Sequence, residues 1–185
     1  SALDRFLGRF TMYRLVIAVL ALLAGWSVVA ATTGRLDPAI FAVGPMLLTL
    51  GVLLITSVIS NEIFGRLVGA QPHLDSAVIT ALLLWFLYWP TSDPKTLGWL
   101  AAVAMLATWS KYLITIRRRH LVNPAAAGVV LATLIGWVAG IDAIPYPTWW
   151  AASEILLPVV LVGTALILRR TRRMGLGLVF CTVAV

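Results

Sequence analysis

The stretch SKYLITIRRRHLVNPAAAG, residues 110–128, sets three consecutive arginines and a histidine between two apolar segments and follows them at once with Asn-Pro. Lys and Arg collect in the cytoplasmic loops of membrane proteins. Asn is a favoured helix N-cap, and Pro suits the first helical position, where its missing N–H would be unpaired anyway. The stretch therefore predicts a cytoplasmic hairpin between two spans, with a new helix starting at Pro124. The Ala-Ala-Ala-Gly that follows offers small side chains for close helix packing in lipid.

Composition supports this reading of the 185 residues. They are 61% hydrophobic and 11% charged with a mean hydropathy of +0.99, where a soluble domain is roughly half apolar and about a quarter charged. An integral membrane protein is expected, in the cell membrane and multi-pass. The net charge of +7 falls in clusters beside apolar runs, as anionic headgroups are met, and nucleic acid is not expected as a partner. A single cysteine, Cys181, excludes an internal disulfide and any multi-cysteine metal cage within the chain.

Runs approaching the ~20 residues needed to cross a hydrocarbon core of about 30 Å lie at Leu15–Ala31, Ala39–Ile59, Ser76–Trp89, Thr96–Ile116, Pro124–Ile141 and Trp150–Leu168. A seventh begins at Met174 and is still apolar at Val185, so a fragment of a longer chain, or a last helix completed by a partner, is expected. The Arg-rich start before an apolar run resembles a secretory signal, but the run is long and lacks a following soluble domain, so it reads as a retained span. Sorting the cations fixes an orientation. Alternate sides hold Arg5, Arg9, Arg14; Arg66; Lys111 and Arg117 to Arg119; and Arg169, Arg170, Arg172, Arg173. The opposite side has only Arg35 and Lys95, against Asp37, Asp93, Asp142 and Glu154. Six spans with the amino end cytoplasmic satisfy the rule at every loop.

The third span is short. Its 14 residues reach about 21 Å before Pro90, so either residues 71–75 (QPHLD) enter as non-helical chain or the helix covers part of the depth. Broken helices of that kind are tolerated where they line a polar cavity. Pro158 is expected to bend the sixth span.

Candidate chemistry is sparse. His73, Ser76 and Thr80 fall along one side of the short helix beside Asp75, either facing a ligand or merely capping the helix and bonding its backbone. Lys111 and Tyr112 lie a turn inside the fourth span's cytoplasmic end; Lys111 either snorkels to headgroups or turns inward with Ser110 to meet an anionic group near Asn123 and the fifth helix's N-terminus. Arg117 to Arg119 and His120 read most simply as interfacial anchors. Seven of the eight tryptophans map to the outer half, as an aromatic belt does. No phosphate-binding loop, nucleophile elbow or zinc-protease motif is present. The two histidines, His73 and His120, both fall on the cytoplasmic side and cannot clamp a haem within the membrane.

The opening stretch resembles the flavin-carrying membrane subunits of the sodium-pumping NADH:quinone oxidoreductase and of the Rnf complex, the NqrB/RnfD family. The resemblance rests on Ser110 to Leu113, Arg117 to Arg119, His120 and Asn123 to Ala126. A second similar segment is HLDSAVITALLLWFLYWP, His73 to Pro90. The resemblance implies two inverted five-helix repeats related to urea transporters, this chain supplying the first, about residues 15–141, and the start of the second. It also implies a bound flavin, FMN or riboflavin, and electron transfer as one component of a larger enzyme. The implied cofactor-binding residues are Ser110, Lys111, His120 and Asn123, and secondarily Ser76 and Thr80. The family's flavin-bearing threonine motif is not matched by Gly163-Thr164-Ala165, so non-covalent binding is implied. TMYRL, LLPVVLVG and RRTRR resemble a subgroup fused to a cytoplasmic ferredoxin-reductase-like module. That module, or a separate reductase subunit, is the implied partner beside the lipid bilayer, with a second copy or a second membrane subunit as a further partner. Two other readings are a transporter or channel for a small polar solute and a membrane anchor for a redox partner.

Overall fold

The computed structural model describes residues 11–113, 115–116, 119–120, 123–141, 143–175, 177 and 179. Among them are six α-helices: α1 Met12–Thr32, α2 Val43–Leu67, α3 Leu74–Leu87, α4 Pro94–Leu113, α5 Pro124–Ala139 and α6 Leu157–Arg170. Between α4 and α5 two-residue strands, β1 Thr115–Ile116 and β2 Arg119–His120, pair antiparallel, with Thr115 opposite His120 and Ile116 opposite Arg119. Arg119 and His120 of the basic run thus lie on the second strand of this pair.

Helix starts follow local chemistry. The Thr11 hydroxyl accepts from the Arg14 N–H at 3.3 Å at the head of α1. The Asp93 carboxylate accepts from the Thr96 N–H at 2.8 Å and the Thr96 hydroxyl at 2.7 Å, closing the first turn of α4. These bonds hold the exposed Asp93 carboxyl below the usual carboxylate range. Asn123 caps α5 as the sequence predicts, its Oδ1 accepting from the Ala125 N–H at 3.0 Å with Pro124 in the first turn. Gly140, at φ 64°, ends that helix in the left-handed region that glycine enters without strain.

The short helix is the centre of the bundle: α3 touches α1, α2, α4 and α5. Its 14 residues bury Ala77, Thr80, Ala81, Leu82, Leu84, Trp85 and Phe86. The tightest helix pair is α4 with α5, where Ala125, Ala127, Gly128, Ala132 and Gly136 face inward. A Cβ on Gly128 would stand 2.5 Å from Ala107 Cβ and 2.7 Å from its Cα, so only glycine permits this approach. By contrast α6 packs mainly on α1, at Gly163 against Val19.

Helices α1 and α2 are long and apolar enough to cross a membrane; α3 and α5 are apolar but shorter. The outer surface is correspondingly greasy, with Leu22, Leu47, Ile55, Leu67, Trp137 and Val138 among its exposed side chains.

Three expected boundaries move. The second helix runs from Val43 to Leu67, not Ala39 to Ile59, because Glu62 and Arg66 pair one turn apart at 2.7 Å and let the helix continue through polar residues. The fourth stops at Leu113, since Thr115 and Ile116 belong to the hairpin. The expected Trp150–Leu168 span is a 3₁₀ turn at Trp150–Ala152 followed by a helix beginning only at Leu157. Pro158 therefore lies in the first turn of α6, where it starts the helix instead of bending it.

The aromatic belt also needs correction. Trp85 and Trp150 are 0% and 5% exposed and stack edge-to-face at 4.9 Å, with Phe86 and Phe41 against Trp150 at 5.0 and 5.1 Å. Burying an indole strands a donor, and both are satisfied: Trp85 Nε1 donates to the Met46 carbonyl at 3.0 Å, and Trp150 Nε1 to those of Trp85 and Tyr88 at 2.9 Å each. Trp26, Trp89, Trp109, Trp137 and Trp149 do stay exposed.

Candidate functional site

The ends of α2 and α4 converge on a buried polar knot. Lys111, in the last turn of α4, is only 6% exposed, and its Nζ donates to Asn61 Oδ1 at 2.7 Å, a pair 50 residues apart in the chain. Asn61 is 2% exposed. The Tyr112 hydroxyl bonds to the same Oδ1 at 2.9 Å and to the Asn61 backbone carbonyl at 3.1 Å. Asn61 Nδ2 reaches the His73 carbonyl, at 3.5 Å, so the knot also ties down the non-helical chain ahead of α3. Gly65 makes room for it: a Cβ there would meet Pro72 Cβ and the Tyr112 hydroxyl at 3.0 Å each.

Lys111 therefore does not snorkel. Among the described residues no carboxylate lies in salt-bridge range of it, and its nearest further support is the Tyr112 ring, 5.5 Å from Nζ. A buried ammonium is costly unless paired and fully hydrogen-bonded, and one amide oxygen satisfies only one of its three N–H groups. The knot thus turns a lysine amine with N–H groups to spare toward the interior.

The other predicted residues divide. Ser110 is buried beside Lys111, but its hydroxyl donates to the Ala107 carbonyl at 2.8 Å. Thr80 is buried on α3 and donates to the Ser76 carbonyl at 2.9 Å, which is the backbone-bonding alternative. Ser76 is half-buried, and its backbone N–H bonds to the His73 carbonyl at 3.2 Å. Asn123 is exposed, with its oxygen engaged as a cap. The side chain of His120 lies outside the described residues, as do Arg117 and Arg118. Among the described residues no hydrogen bond joins Lys111 to Ser76, Thr80 or Asn123.

Asn61 escapes sequence reasoning because it lies past Ile59, where the apolar run of the second span closes. The signal was the run Ser60-Asn61-Glu62, polar residues whose helical continuation depends on the Glu62–Arg66 pair.

A separate groove of about 360 Å³ opens between α2, α4 and α5. Its wall includes Phe64, Trp99, Met105, Trp109 and Ile135, with Phe64 and Trp109 stacked at 5.9 Å. It is almost wholly apolar, and among the described residues none of Ser76, Thr80, Ser110, Lys111 and Asn123 lines it. No group of three or more metal-ligating side chains is found among the described residues.

The fold and knot define a helical protein with two membrane-length apolar helices and an inward-turned lysine. No protein-family model, curated protein or solved structure matches this chain.

Proposed function

We propose that this chain is a multi-pass domain of the cell membrane, amino end cytoplasmic, that binds flavin non-covalently and relays electrons between a cytoplasmic reductase and a further redox partner. The membrane part is supported by α1 and α2, by the exposed aliphatic surface and by the sorting of cations into alternate loops of the sequence. The flavin part rests on the similarity of residues 73–90 and 110–128 to flavin-carrying subunits, and one observation carries it: Lys111 is turned into the bundle and hydrogen-bonded there to an amide oxygen instead of a carboxylate.

The residues fit a flavin in part. An ammonium with unused N–H groups suits a ring carbonyl or a phosphate oxygen, whereas the first turn of α5 spends the Ala125 and Ala127 N–H groups on Asn123. Ser110 and Thr80 spend their hydroxyls on their own helices, so their contribution is shape. The flavin would supply the redox chemistry; the protein's task is to hold it, exclude water and set the charge around it. Chain purified in mild detergent should be yellow, bleach with dithionite, and lose most of its flavin on Lys111→Gln. Colourless protein after gentle extraction overturns the reading.

A second reading, a transporter for a small polar solute, is favoured by one feature: α3 spans only about 21 Å and is preceded by non-helical residues 70–73. Solute flux into proteoliposomes by chromophore-free protein would select it.

A further inference from the structure

Helices α2 and α4 run in the same direction. Near their beginnings the Thr49 hydroxyl donates to the Thr91 carbonyl and accepts from the Thr91 N–H, and near their ends Asn61 meets Lys111. A helical side chain leans toward its helix's N-terminus. The Lys111 ammonium therefore points back into the bundle, toward the level of Ser57, which precedes Asn61 by one turn on the same face of α2.

Ser57 is 0% exposed, and its hydroxyl has no hydrogen-bond partner. Ser27, Thr80, Thr108 and Ser110 are also buried in helices, and each donates to a carbonyl of its own helix. Ser57 has not taken that option. Around this point acceptors are few: Asn61 Oδ1 already receives both Lys111 and Tyr112, and the Ser57 hydroxyl is the other one near it. Donors remain, namely two N–H groups of Lys111 and the O–H of Ser57. A donor-rich, acceptor-poor interior with an unbalanced positive charge suits an anion and repels a cation.

We infer that Lys111 and Ser57, with Asn61 holding the ammonium in place, form an internal subsite for an oxyanion of the phosphoryl class. This deepens the flavin reading, on which it rests for one of its three sources: the phosphate of a flavin mononucleotide, a lipid phosphate, or free phosphate.

The chain has two lysines, Lys111 and the exposed Lys95, so lysine-13C-labelled protein carries its own control. In phospholipid-free maltoside micelles, inorganic phosphate should shift the Lys111 Cε resonance saturably and leave Lys95 unmoved. Ser57→Ala, a small change in an α-helix, should weaken that response about fivefold, the loss of one hydrogen bond. If flavin is the source, wild-type protein should prefer FMN to riboflavin, and Lys111→Gln should remove about tenfold or more of that preference. A Lys111 resonance already shifted in phospholipid nanodiscs and insensitive there to phosphate assigns the site to lipid. Phosphate sensing without binding of either flavin sinks the flavin reading and leaves this inference standing. Flavin binding with an unmoved Lys111 does the reverse. Equal responses of Lys95 and Lys111, saturation by chloride that phosphate fails to displace, or an unchanged Ser57→Ala titration each overturns the inference.

Discussion

The two ends of the bundle are closed in opposite ways. At the aromatic end, Trp85, Phe86 and Trp150 bring three large rings together, and both buried indole N–H groups find backbone carbonyls. At the polar end, Asn61, Lys111 and Tyr112 join α2 to α4 but leave donors over, on Lys111 and on Ser57 one turn before Asn61. Saturated hydrogen bonding around apolar bulk yields stability and little else. A partly satisfied network costs stability and is retained where the spare groups have a use. That contrast is why the proposed site is placed at the Lys111 end.

The largest expected effect falls on the aromatic end. Trp150→Ala removes a ring that contacts Phe41, Trp85 and Phe86 and should cost roughly 3–5 kcal/mol, read as unfolding in detergent, while phosphate or flavin binding per folded molecule is unchanged. An equal loss of binding per folded molecule would break the contrast.

Next comes the polar knot. Asn61→Leu strands the Lys111 ammonium and should cost about 1.5–3 kcal/mol. Adding Lys111→Met to it should recover most of that loss, because a buried pair replaced by apolar groups of similar size is nearly neutral. If the double variant is as unstable as the sum of the single ones, the charge on Lys111 is not what the knot manages.

Gly128→Val tests the wall between the two ends. Its Cβ would press on Ala107 backbone atoms at 2.7 and 2.8 Å, so α4 and α5 must separate, at about 1–3 kcal/mol. Gly51→Ala, which meets open space, should be silent in the same unfolding assay.

The smallest effect is at Asp93. Its folded carboxyl titrates below its ordinary value because Thr96 donates to it twice, so its contribution is complete above the ordinary carboxylate range and fades as pH falls through the lowered value. Acidification below about pH 4 should loosen the head of α4 in the wild type, and hydrogen exchange at Thr96 and Leu97 should report it. Asp93→Asn keeps a capping oxygen and should show no such dependence.

Much of the architecture was legible in the chain. The order of the six described helices, the break between α4 and α5, the Asn123 cap and the small-residue face of α5 follow from hydropathy, charge and capping chemistry, which act over a few residues. Illegible were facts about partners. Nearly uniform apolarity around these helices hides which face is inward, so Trp85 and Trp150 read as belt residues. Lys111 has two sequence readings, surface and interior, with the surface one the simpler. The tertiary position of Asn61 chose between them.

The sequence by itself determined the number and order of the helices, the shortness of α3 and the sorting of charge to one end, because each depends on residues adjacent in the chain and on their preference for water or oil. Only the tertiary structure decided that α3 is the hub, that two tryptophans are core, and that Lys111 faces Asn61 with Ser57 left unpartnered. Those facts depend on distances between residues tens of positions apart, and such distances are set by how whole helices pack.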